Sequence, residues 1–196
     1  MLRSDPEMLY VTKTLERINK KYSQYGCDIV YLEKPSDIEA YLAQHPEKSK
    51  IGFLIKPFPH ISLHYSSIYF ERTTNNTDSE NQKSITEYFL QVDSVPEQHP
   101  SGLLRLSFYI RKPSNETTSR LLYYSPFIRQ VETMGCMEDA IKILIHCFRE
   151  SNLTEFLKKN AKFDSETYYS KPTPPTYELT TLPARFLVNI ERFDTM

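Results

Sequence analysis

Met137, Ala140, Ile141, Leu144, Ile145 and Phe148 recur at the three- and four-residue spacing of one helical face. A stripe this apolar must be covered by another layer of the fold. The runs before it in sequence supply that layer. Phe53 to Glu71 is rich in β-formers with prolines only in its first half, which predicts a strand, a proline-containing crossing and a second strand. Ile85 to Val92 is a further strand, closed by Asp93-Ser94, and Leu103 to Ile110 and Leu121 to Tyr124 add two more. Thr73 to Ser84 contains no apolar residue, which predicts a solvated hairpin loop between antiparallel strands. The expected fold class is α+β, a mixed sheet packed on a central helix.

The first fifty residues read as helical. Asp5-Pro6 is an N-cap followed by a first-turn proline, and Met8, Val11, Leu15, Ile18 and Tyr22 trace one apolar stripe that ends near Gly26. Ser36-Asp-Ile-Glu39 has the form of a capping box opening a short helix, stopped at His45-Pro46. Beyond the central helix, Leu153 to Lys159 predicts a helical turn or two, and Lys171 to Thr176 an extended segment. The whole, 1–196, is expected to be a single domain: a helical part over 1–50, a core over 51–150 and a C-terminal lobe over 151–196.

Composition narrows the classes. With 39% hydrophobic and 13% aromatic residues the chain can bury one ordinary core, and no apolar run approaches the roughly 20 residues of a membrane span. Three cysteines are too few and too odd for a disulfide framework, so a reducing compartment is expected. A net charge of −1 gives no general pull toward nucleic acid. His146 and Cys147 are adjacent and so about 100° apart on a helix, a poor pair for one ion. No metal is expected, and four scattered glycines form no phosphate-binding loop.

The chemistry concentrates at Cys136, where the apolar helix begins. A helix N-terminus favours thiolate over thiol, Gly135 relieves crowding ahead of the turn, and the Gln130 amide, six residues upstream, is a donor for an oxyanion. Such a nucleophile needs a base. His45 and His99 lie in polar turns, and His146 is roughly 15 Å along the same helix. His60 and His64 remain, four residues apart, with the same parity on one predicted strand. Asp93, at the end of the neighbouring strand, is positioned to hold the imidazole. A half-buried structural cysteine is the plain alternative. His60-Ile-Ser62, His64-Tyr-Ser66 and His99-Pro-Ser101 also match the element of two-histidine phosphoesterases, but Pro100 argues against the second strand that pairing requires.

His64 followed by aromatic Tyr65, Asp93 ending the next strand, and Gln130 six residues before Cys136 resemble, in order and spacing, the papain-like cysteine enzymes of the Ulp and adenain clan. Within the clan the chain looks most like the YopJ-type effector acetyltransferases, a likeness to which the long region after the cysteine helix and the late Leu182-Pro183-Ala-Arg-Phe186 contribute. The sequence departs from that family in Gly135 and Met137 around the cysteine, in a longer histidine-to-acid interval, in Asp93-Ser94 where Glu-Pro is more usual, and in Leu187-Val188-Asn189 where a Lys-His pair tends to follow. The resemblance implies a papain-like fold and an enzyme delivered by a dedicated bacterial secretion system into the host cytoplasm. Cys136 would take acetyl from acetyl-CoA and pass it to Ser, Thr or Lys of a host protein, with His64 as base, Asp93 orienting it and Gln130 at the oxyanion; His60 is the alternative base. Lys142, Arg149, Lys158, Lys159 and Lys162 would form a basic patch on the lobe after Cys136, the lobe through which such enzymes bind inositol hexakisphosphate and acetyl-CoA; an ordinary solvated face is the alternative. The same residues would equally serve an isopeptidase acting on ubiquitin or a ubiquitin-like modifier, and a non-catalytic interaction protein on this fold is the third reading.

Overall fold

The computed structural model describes residues 6–56, 65–76, 83–92, 110, 117–125, 136–150, 162–163 and 176–181. Helix α1 (Pro6–Lys21) leads through a short 3-10 turn (Ser23–Tyr25) to β1 (Ile29–Leu32), α2 (Asp37–Gln44), β2 (Lys50–Ile55), β3 (Ser66–Asn76), β4 (Lys83–Val92), β5 (Thr118–Ser125), α3 (Cys136–Arg149), β6 (Lys162–Phe163) and β7 (Thr176–Thr181). The strands form one mixed sheet in the order β1-β2-β3-β4-β5-β7-β6. β2, β3 and β4 are antiparallel neighbours, whereas β1 runs parallel to β2, β5 to β4 and β7 to β5.

Strand alternation divides the core in two. Leu54, Tyr69, Leu90 and Val92 face α1 and α3, while Ile51, Phe53, Ile55, Ile68, Phe70 and Phe89 face α2 together with Ile110. The predicted α3 stripe is the one buried: Ala140, Ile141, Leu144, Ile145 and Phe148 all lie in the first cluster, and the Phe148 ring meets Tyr69 edge to face at 5.2 Å. Gly52 on β2 lies under α3 and carries no side chain to hold the helix away.

Several expectations are corrected. The first fifty residues are not all helical, since Ile29–Leu32 pairs with Gly52–Ile55 as β1. The α1 stripe is buried at Val11, Leu15 and Ile18, but Met8 is exposed, and the helix proper stops at Lys21, with Gly26 in left-handed conformation (φ 67°) ending the turn that follows. Ser36 makes no capping bond to the backbone of α2, and the Glu39 carboxylate goes instead to Arg120. Thr73–Asn76 and Lys83–Ser84 are not loop: they pair residue for residue from Thr73 opposite Thr86 to Asn76 opposite Lys83, because a backbone ladder needs no apolar side chains and threonine suits a strand. The segment read as ending extended at Thr176 leads into β7. Leu153–Lys159 and the strand predicted over Leu103–Ile110, apart from Ile110 itself, lie outside the described residues.

β1 is an edge strand, and its outward backbone groups are met by a side chain. Gly52 donates to Asp28 on the inner side; on the outer side Asn19 of α1 donates from Nδ2 to the Ile29 carbonyl (2.9 Å) and accepts from the Ile29 N–H (2.8 Å). Replacing Asn19 by Leu leaves both groups of a buried residue without that partner, so urea unfolding is expected to show a loss of about 2 kcal/mol. An unchanged midpoint would mean that the amide contributes nothing to docking α1.

Candidate active site

Cys136 is the first residue of α3 and half-buried, packed with Met137 against the cluster that contains Tyr65, Leu90 and Val92. Glu138 and Asp139 occupy the same first turn, where a helix's partial positive charge favours carboxylates. The other two thiols are buried. Burial, reinforced by the neighbouring Asp28, pushes the Cys27 thiol up to about 12, so its thiolate fraction near neutrality is on the order of a thousandfold below that of an ordinary cysteine. Limiting iodoacetamide is therefore expected to label Cys136 first, read by mass spectrometry. Preferential labelling of Cys27 or Cys147 would remove Cys136 as nucleophile.

His60, His64, Asp93, Gln130, Lys158 and Lys159 lie outside the described residues. The residues next to His64 and Asp93 are described, and these two converge. Tyr65, which follows His64, belongs to the buried cluster that Cys136 packs against, and burial first, then the bond to Glu7, keeps its phenol protonated. Val92, which precedes Asp93, pairs with Ser67 on β3, and its carbonyl accepts from the Ser67 hydroxyl at 3.0 Å. The start of β3, the end of β4 and the head of α3 thus meet at one end of the sheet. Sequence order alone links these three points only through long intervals.

Tyr65 was read only as the aromatic after a histidine, yet it is a centre of contacts. Its hydroxyl donates to Glu7 of α1, its ring lies 6.3 Å from that of Tyr31, and Lys56 Nζ sits 5.3 Å from its centroid. Nothing in the spacing of the sequence signals that Glu7 belongs here.

Of the basic set, Lys142 and Arg149 are described. They stand seven residues apart on α3 and so share a face. Arg149 is at the far end of the helix from Cys136, roughly 20 Å along it, with its guanidinium carbon 5.2 Å from the Tyr22 ring centroid and 5.6 Å from that of Tyr25. The side chain of Lys162, in β6, is not among those described. No described helix is long and apolar enough to cross a membrane.

No family model matches the sequence, and no curated protein sequence matches it. Solved structures do. A deletion form of AvrA with IP6 and CoA superimposes with a TM-score of 0.51 at 10% identity, over 71% of this chain and 47% of that one. This chain shares the fold of that YopJ-family effector. HopZ1a in complex with IP6, also of the YopJ family, matches at a TM-score of 0.40 and 11% identity, over 77% of this chain and 44% of that one. The chain thus spans under half the length of either structure.

Proposed function

We propose that the chain is a thiol-dependent acyltransferase of the YopJ-effector type, moving acetyl from acetyl-CoA to a Ser, Thr or Lys side chain of a host protein. The observation that carries this reading is a half-buried cysteine at the head of helix α3, packed on the cluster that contains the residue following His64, in a fold shared with a protein solved with CoA. In this reading the sheet and α3 form a papain-like core of the Ulp and adenain type. The Cys136 thiolate attacks the thioester carbonyl of acetyl-CoA, Gln130 donates to the oxyanion, and the CoA sulfur leaves with a proton from His64. The acceptor side chain then attacks the Cys136 thioester and gives its proton to His64, which Asp93 holds in orientation.

Inositol hexakisphosphate would act as an activator through the basic set. Two members of that set suit an anion: Lys142 and Arg149 share one face of α3, and the Arg149 guanidinium is held close to the rings of Tyr22 and Tyr25. Lys158 and Lys159 complete the set, in the C-terminal lobe 151–196. Delivery by a bacterial secretion system into a host cell belongs to the same reading.

Incubation with labelled acetyl-CoA, with and without inositol hexakisphosphate, beside ubiquitin-family activity probes, tests it. Acetylation of the enzyme or of a host protein is expected, abolished in Cys136→Ala and reduced about 10²-fold or more in His64→Ala and Asp93→Ala. Transfer surviving Cys136→Ala excludes the covalent route. Probe labelling at Cys136 without acetyl transfer makes the protein an isopeptidase.

A further inference from the structure

Among the described residues, the large apolar side chains left exposed all belong to α1 or the turn after it: Met8 (45% exposed), Leu9 (46%), Tyr10 (58%) and Tyr25 (42%). Single exposed apolar residues are ordinary, but three in succession on one helix form a patch. At 3.6 residues per turn, Leu9, Tyr10, Lys13, Glu16, Arg17 and Lys20 fall within one arc of roughly 120°, opposite Val11, Leu15 and Ile18, which are buried. All six are exposed.

This outer face is basic. It carries Lys13, Arg17 and Lys20 against Glu16, and among the described residues no ion pair takes up any of the three cations. The other carboxylate of the helix, Glu7, is committed to Lys56 Nζ at 2.7 Å and to the Tyr65 hydroxyl, so it does not neutralise them. Lys21 is set apart too, with its Nζ 5.5 Å from the Tyr22 ring centroid. The chain as a whole has a net charge of −1, so the excess of positive charge on this face is local.

The combination selects the kind of partner. A nucleic acid would use the cations and leave Met8 and Leu9 in water. A protein partner would need a groove shaped to a convex helix. A lipid surface needs no such fit: long basic side chains reach the headgroups while neighbouring apolar ones enter beneath them, and tyrosine suits the boundary between the two. We propose that the outer face of α1 is a docking surface for an anionic lipid bilayer, on which the helix lies flat with Lys13, Arg17 and Lys20 at the headgroups and Leu9 and Tyr10 inserted below. The inference does not rest on the chemistry of Cys136.

The test is co-sedimentation of the full chain with vesicles of phosphatidylcholine containing about 30% phosphatidylserine, beside vesicles of phosphatidylcholine alone, at about 0.1 M and about 0.5 M salt. Each Lys or Arg at an anionic surface contributes about fivefold to partitioning. The combined variant Lys13→Gln, Arg17→Gln, Lys20→Gln is therefore expected to bind anionic vesicles about a hundredfold more weakly, and Leu9→Ser with Tyr10→Ser about tenfold more weakly with its charge unchanged. Lys34→Gln, an exposed lysine after β1, is the control and should change binding less than about twofold. The unaltered chain should bind neutral vesicles at least about tenfold more weakly and be released by the higher salt. Failure to sediment with anionic vesicles, equal binding to both kinds, or binding by the combined variant equal to that of the unaltered chain overturns the proposal. Capture on immobilised polyglutamate without vesicle binding also overturns it, by assigning the face to an acidic protein. The lipid and salt comparisons use the unaltered chain and decide the matter even if a variant unfolds.

Discussion

Glu87→Ala is expected to destabilise the protein by about 3–5 kcal/mol, a large share of the ~5–15 kcal/mol that typically separates folded from unfolded chains. Glu87 is 3% exposed on the α2 side of the sheet and is held by two arginines. Arg72 donates to Oε1 from Nε (2.9 Å) and Nη2 (2.7 Å), and Arg120 donates to Oε2 from Nε (2.6 Å). Arg120 reaches on to Glu39 of α2, and Arg72 to the Pro46 carbonyl (2.7 Å), so the carboxylate is the hub through which α2 and the turn after it are fastened to β3, β4 and β5. The arginine faces also lie over Phe70 and Phe89, which confines them to a low-dielectric site. Removing Glu87 leaves two such cations without their shared counter-charge. Glu39→Ala removes only the outer, more exposed partner and is expected to cost about 1 kcal/mol. Urea unfolding of the two variants checks the ranking. A Glu87→Ala midpoint as high as that of Glu39→Ala would show that the hub contributes no more than a surface pair.

Gly52→Val should be the second severe change, and it acts by volume. A Cβ at Gly52 would lie 3.1 Å from Phe148 Cε2 and 3.2 Å from both Ile29 Cγ1 and Leu144 Cδ2, so even alanine asks its neighbours to give by a few tenths of an ångström. Valine suits a strand intrinsically, but its two methyls have no space under α3. Overpacking of this kind costs about 1–3 kcal/mol, and the relief available is for α3 to lift from β2. Because Cys136 begins that helix, the shift should also change its alkylation rate. Thermal unfolding and thiol labelling of Gly52→Ala and Gly52→Val together test this. A Val variant as stable as the parent would mean that the helix–sheet spacing is set elsewhere.

The elements that were legible are those with a strong local period. The α3 stripe, the β3–β4 hairpin and the strand around Leu121–Tyr124 were readable because the apolar residues repeat at a helix or strand interval over eight or more residues, or sit between clear turn signals. β1 was not readable. Its four residues are too short to show a period, and it exists because Gly52–Ile55 pairs with one side and Asn19 with the other. The capping box at Ser36 was misread for a related reason: Glu39 has the right spacing for the cap but a stronger partner in Arg120, 81 residues away. For the site, the sequence pointed to Cys136, and the structure adds that this is the half-exposed thiol and that Cys27 and Cys147 are buried.

By itself the sequence determined which segments carry an apolar face and which residue types are available for thiol chemistry, because periodicity and composition are properties of neighbours along the chain. The tertiary structure alone decided that β4 and β5 run parallel, that Glu87 is buried between two arginines, and that Glu7 reaches Tyr65 across 58 residues. In the sequence each of those charges is indistinguishable from one on a solvated surface. What separates them is loss of water and the approach of a partner distant in the chain, and both arise only when the layers pack.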